Sequence, residues 1–191
     1  MAYPTVDAPY GLKPVNLIGG QVFAGSTRQI KIASNYGTAI FYGDVVKYAN
    51  DGTLNIDSGT TTATPIGVFL GCTYTDPSTS QLTFRQSYPA STVASDIMAY
   101  VLDDPDALFK VAAVSGTTTV AGYGRTIVNN NVSLVQNTGS SVTGNSKVAI
   151  LGSSAATTAT LPIRIVDVVP DTATAADTYV ELIVKFNFGD H

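Results

Sequence analysis

Few side chains in this sequence can do chemistry, and their positions limit what that chemistry would be. Cys72 is its one cysteine and His191 its one histidine. A thiol beside an imidazole is a nucleophile–base pair. A base must be held at hydrogen-bond distance from its partner, and a base at the last position of the sequence is not expected to be. Cys72 therefore reads as a small buried hydrophobe. One Cys and one His also leave no typical structural zinc site and no intrachain disulfide within one chain.

Asp103, Asp104 and Asp106 offer several oxygens, which is what a hard cation such as Ca²⁺ requires. The spaced D-x-D-x-D-G ligand pattern is absent, and Asp-Asp-Pro-Asp reads first as a solvated turn. In Gly122–Arg125, "GYGR", Tyr123 could stack on a ligand with Arg125 beside it, but no second ring stands nearby to complete a platform. No P-loop, no G-x-G-x-x-G and no G-x-S-x-G occurs, and no pair of carboxylates is nominated by spacing. The expectation is a protein that is not an enzyme and uses no cofactor and no metal. Asn131-Val132-Ser133 matches the glycosylation sequon and reads as accidental in the absence of a secretory signal.

The bulk composition points away from several partners. Charged residues are 13% of the 191, against roughly 25% in soluble domains, while hydrophobic residues are 45%. A surface so poor in charge is covered either by Thr, Ser and Asn or by other subunits. The net charge is −4, and the six Lys and four Arg stand singly along the sequence. Phosphate neutralisation needs clustered cations, so neither nucleic acid nor an anionic membrane is expected as a partner. The opening "MAYPTVDAPYGLKP" has no apolar core of a signal peptide, and synthesis in a reducing cytoplasm is expected.

Residues 1–26 differ from the rest. Pro4, Pro9 and Pro14 recur every five residues among Tyr3, Val6, Tyr10, Leu17, Ile18 and Phe23. Prolines fix φ and remove donors, so this segment reads as an extended arm, and its apolar side chains as groups that lie on something. From residue 27 to 191 the pattern is one all-β domain. "IFYGDVVKYANDGTLNI" (40–56) is a hairpin, with Val45 and Lys47 on one face, Val46 and Tyr48 on the other, and Asn50-Asp51-Gly52 as its turn. Strands follow in "PIGVFLGCTYT" (65–75), with Gly67 and Gly71 at bulge or close-approach positions, and in "QLTFRQS" (81–87), "DIMAYVLDD" (96–104) and "ALFKVAAV" (107–114). Residues 115–160 are loop-rich, with a short helix conceivable near 117–122 and a strand at "SKVAIL" (146–151). "LPIRIVDVV" (161–169) and "YVELIVKFNF" (179–188) are the last two strands. In the latter, Val180, Leu182, Val184, Phe186 and Phe188 share one face. Many short strands at even spacing make a barrel or sandwich.

"GLKPVNLIGGQVFAGSTRQIKIA" (11–33) with "IFYGDVVKY" (40–48), "IGVFLGCTYTDP" (66–77) and "YPASTVASDIMAYVLDDPDALF" (88–109) resembles structural proteins of tailed bacteriophages, marine and cyanobacterial phages above all. The resemblance covers about the first 110 residues and looks like that of capsid decoration, or cement, proteins. It implies a small SH3-like or tulip-like β-barrel or sandwich, trimers at threefold positions, and an arm lying on the major capsid protein. Tyr3, Pro4, Val6, Tyr10, Leu17, Ile18 and Phe23 would then be the capsid-binding residues. The virion exterior would be the location, after synthesis in the host cytoplasm. A neck or tail protein, or a carbohydrate-binding attachment module, stands beside that reading.

Overall fold

A computed structural model describes residues 8–172 and 179–187. The chain is all-β, built as two packed sheets. In chain order the strands are β1 (Lys13–Leu17), β2 (Arg28–Lys31), β3 (Val45–Tyr48), β4 (Leu54–Ile56), β5 (Gly67–Thr75), β6 (Leu82–Arg85), β7 (Met98–Leu102), β8 (Ala107–Val114), β9 (Asn131–Val132), β10 (Leu134–Val135), β11 (Ala149–Leu151), β12 (Ile163–Val168) and β13 (Glu181–Phe186). One sheet runs β10-β11-β8-β13-β12-β9, and β1 joins it on β8. The other runs β2-β7-β5-β3-β4, and β6 joins it on β5.

The predicted hairpin is β3 and β4, in register Val46 opposite Ile56 and Tyr48 opposite Leu54. Its turn closes because Asp51 Oδ1 accepts both the amide and the hydroxyl of Thr53, at 3.0 and 2.7 Å. Alternation then divides β3 between two cores. Val45 packs into the core between the sheets, with Phe109, Val111, Ile165, Leu182 and Val184. Val46 faces a second core, with Ile30, Phe69, Tyr88, Ile97 and Val101, around which the other sheet curls. Two cores reached from one strand explain why "PIGVFLGCTYT" reads as unbroken β-former rather than as alternation.

Both glycines singled out in β5 do what their positions suggested. A Cβ on Gly67 would sit 2.3 Å from the Leu102 carbonyl oxygen, so only Gly permits that approach. Gly71 adopts φ 147° where the register with β7 slips between Phe69 and Gly71, which is a bulge.

The turn at Asp103–Asp106 carries the chain from β7 in one sheet to β8 in the other. Two expectations need correction. Residues 117–122 are not helical. Ser115 N–H bonds Thr119 at 3.0 Å and Val114 bridges Val120, while a short 3₁₀ turn lies later, at Arg125–Ile127. The region 115–160 is also less open than its Gly, Ser and Asn suggested. It supplies β9, β10 and β11 and buries Val132, Leu134, Val148 and Ile150 in the main core.

Candidate interaction surfaces

The boundary expected at residue 26 falls inside the β body. Leu12 is fully buried in the main core, its N–H bonds Gly43 at 3.0 Å, and Gly11 N–H bonds Val148 at 3.1 Å. β1 pairs antiparallel with β8, Lys13 opposite Lys110 and Leu17 opposite Ala107. Proline spacing argued against a helix or a central strand and read as an extended arm, and β1 is an edge strand of this chain's own sheet. Pro14 is tolerated because, among the described residues, β1 borders β8 on one side only, so its missing donor breaks no ladder of theirs.

Of the seven expected contact residues, Tyr3, Pro4 and Val6 lie outside the described residues. Tyr10, Leu17 and Phe23 are half-buried against this chain's own cores. Ile18 is 49% exposed and remains available to a partner.

Tyr10 is held by chemistry that the sequence did not announce. Its hydroxyl donates to Glu181 Oε1 at 2.6 Å, while Lys110 Nζ lies 3.2 Å from Oε2 of the same carboxylate. The ammonium groups of Lys13 and Lys110 stand 5.1 and 5.7 Å from the centre of its ring. Burial, then the hydrogen bond and charge of Glu181, push the phenol far above its ordinary range, so it stays a donor. Glu181 lies on the face opposite Leu182 and Val184, yet it is buried, because Tyr10 covers it. This cluster is a clasp for the N-terminal segment rather than a proton-transfer centre.

The second surface is β6. Among the described residues it pairs with β5 alone, and no other strand of these residues covers its second edge. Leu82 is 64% exposed and Phe84 71%, and Val93 on the neighbouring loop is 62% exposed. An open edge carrying two large apolar side chains is a ready site for association.

The residues first suspected of chemistry have structural roles. Asp104 Oδ1 accepts the Asp106 amide at 2.8 Å, and Asp103 pairs with Arg28 at 2.7 Å, so the acidic run caps its own turn. Tyr123 is not a loose loop aromatic: it packs on the main core, so close to Gly152 that a Cβ there would lie 2.2 Å from the ring. Asn131 is buried and donates its amide to the Thr158 carbonyl at 3.1 Å, which closes the sequon to modification in the folded chain. Among the described residues no three His, Cys, Asp or Glu side chains group as metal ligands.

Cys72 is buried, its Sγ 3.7 Å from the Ser87 carbonyl. Burial pushes the thiol up to about 12, with Arg85 pulling only weakly the other way. The folded protein should therefore resist iodoacetamide at pH 8 and react stoichiometrically once denatured. Mass spectrometry reads this directly, and full labelling of the native protein within minutes would contradict the placement of Cys72.

Comparison with known proteins gives no relative. No family model, no curated protein and no solved structure matches this chain. The geometry alone therefore has to support a functional reading: two clasped or open surfaces, and no assembled reactive group among the described residues.

Proposed function

We propose that this chain is a structural virion protein, which binds the outside of a tailed-phage capsid and stabilises it by bridging subunits of the major capsid protein. The observation that carries the reading is the open β6 edge, where Leu82 and Phe84 project from a rigid β body. Apolar groups this exposed lose little by ordering and gain about 1.5–3 kcal/mol each when a partner covers them. The low charge content, 13% of residues, agrees with a surface that partners cover in part. In this reading the chain is no enzyme and forms a homotrimer: closed symmetry repeats one contact without leaving it open, and the resemblance to decoration proteins selects three copies over two.

The test is reconstitution on undecorated heads. Wild-type protein should co-sediment with heads, raise their melting temperature, and run as a trimer in light scattering. Leu82→Ser with Phe84→Ser should leave the melting curve of the free protein nearly unchanged, because both side chains are solvated. It should cut head binding by at least about tenfold, the equivalent of 1.4 kcal/mol. Recovery of the protein from purified tails and not from heads would replace this reading with a tail or neck role.

A further inference from the structure

The ladder between β12 and β13 places Arg164 directly opposite Lys185. Ile163, Ile165, Val184 and Phe186 fill the core side, so both cations project from the outer face of that sheet. Like charges directly opposite destabilise an antiparallel pair. Here both are half-buried, which limits how far water can screen them. Among the described residues the four ion pairs use Arg28, Lys47, Lys110 and Arg125, and neither Arg164 nor Lys185 meets a carboxylate.

Arg164 donates instead to the neutral Asn129 Oδ1. Asn129 is itself fixed: it adopts φ 71°, in the left-handed region, and its N–H bonds Ile165 at 3.0 Å. Asn187 commits both amide hydrogens to the Ala159 and Leu161 carbonyls, and so forms wall rather than donor. These groups, with Ile18 and Val166, surround a pocket of about 360 Å³. The guanidinium is thus aimed by Asn129 without being neutralised.

We propose that this pocket receives a carboxylate-bearing segment of a partner protein. The Lys185 ammonium and the remaining N–H groups of Arg164 supply charge-assisted hydrogen bonds to the carboxylate. Ile18 supplies an apolar wall for the side chain beside it. The net charge of −4 makes the attraction local to this face, where Lys13 and Lys110 also project. Glu181 and Asp167 interrupt the face, so it offers no continuous track for a phosphate backbone. The proposal rests on reading the chain as a partner-binding structural protein, and names the chemistry of one contact.

The experiment is an NMR titration of the full chain with a capped tetrapeptide carrying two glutamates between isoleucines. Saturable shifts are expected at Asn129, Ile165 and Lys185, weakening as salt screens the charges. Arg164→Gln with Lys185→Gln should lose that binding at least about tenfold while melting at or above the wild-type temperature, because a repulsion has been removed. Melting several degrees lower would make the cations structural and overturn the proposal. So would tighter binding of inorganic phosphate or of an oligothymidine than of the peptide. Binding that appears only in Asp190→Asn would show the chain's own tail in the pocket, with the same consequence. If wild-type protein binds the peptide but no heads, the pocket stands and the decoration reading falls. If the double variant loses the peptide but keeps wild-type affinity for heads, the pocket is not the docking point.

Discussion

Leu12→Ala should lower the unfolding free energy by about 2–5 kcal/mol, the range for emptying a fully buried leucine position. Removing residues 2–17 altogether should abolish the cooperative transition of the intact chain. Leu12 is inaccessible to solvent and packs in the main core with Val45, Phe109 and Val148. Just before it, Gly11 holds φ 83°, and a Cβ there would lie 2.6 Å from Ser146 Cβ, so the backbone threads a gap that only Gly fits. Downstream, β1 covers one edge of β8, and upstream the Tyr10 hydroxyl ties the segment to Glu181. Apart from Val45, these contacts join the N-terminal segment to residues that lie far later in the chain, from Ala107 to Glu181, so the loss would not stay local. Urea denaturation of the three proteins separates the cases. An unchanged midpoint and m-value for the chain without residues 2–17 would mean that the segment is an arm after all.

This prediction marks the limit of what pattern could say. Strands with a clean period of two were legible: in β13 and just before it, Val180, Leu182, Val184 and Phe186 are all buried, as their alternation required, while Phe188 lies outside the described residues. The Asp-Gly turn of the first hairpin and the two glycines of β5 were legible for the same reason, since each states a local backbone need. The N-terminal segment was not, because prolines report the absence of donors and say nothing about which edge accepts the strand. The strands within 131–135 were missed, because strands of two residues are too short to show a period, whereas the strand expected at 146–151 is present as the shorter β11. Pairings between distant strands carry no sequence signal of this kind. The ten basic residues stand singly in sequence, yet register sets Lys13 against Lys110 and Arg164 against Lys185. No spacing rule would have found that face.

Asp44 was equally silent, being one more turn residue in "YGDVV", and burial moves its carboxyl into the mildly acidic range. Its side chain is 1% exposed at the crossing of three segments. Oδ2 accepts the Phe41 amide at 2.7 Å, whereas Oδ1 has no donor in hydrogen-bonding geometry. Burial raises the carboxyl from 3.8 to about 6, and the neighbouring Ser146 hydroxyl and the Phe41 amide offset this only in part. A pKa raised on folding means that the folded chain prefers the protonated group. The associated stability is fully present below about pH 4 and is lost as pH rises through about 6. A shift of about two units corresponds to roughly 3 kcal/mol as an upper figure. Asp51, Asp76 and Asp96 titrate the other way, since hydrogen bonds from Thr53, Ser78 and Thr75 hold them below the usual range. They oppose Asp44 only below about pH 4, so the window between pH 4.5 and 7 belongs to the buried group. Asp44→Asn keeps an acceptor for the Phe41 amide and removes the buried charge. Its unfolding free energy should therefore stay nearly flat across that window, while the wild type loses about 1–3 kcal/mol. At pH 8 the variant should equal or exceed the wild type. Chemical denaturation at half-unit pH steps measures both, and parallel curves for the two proteins would show that Asp44 does not titrate within the fold.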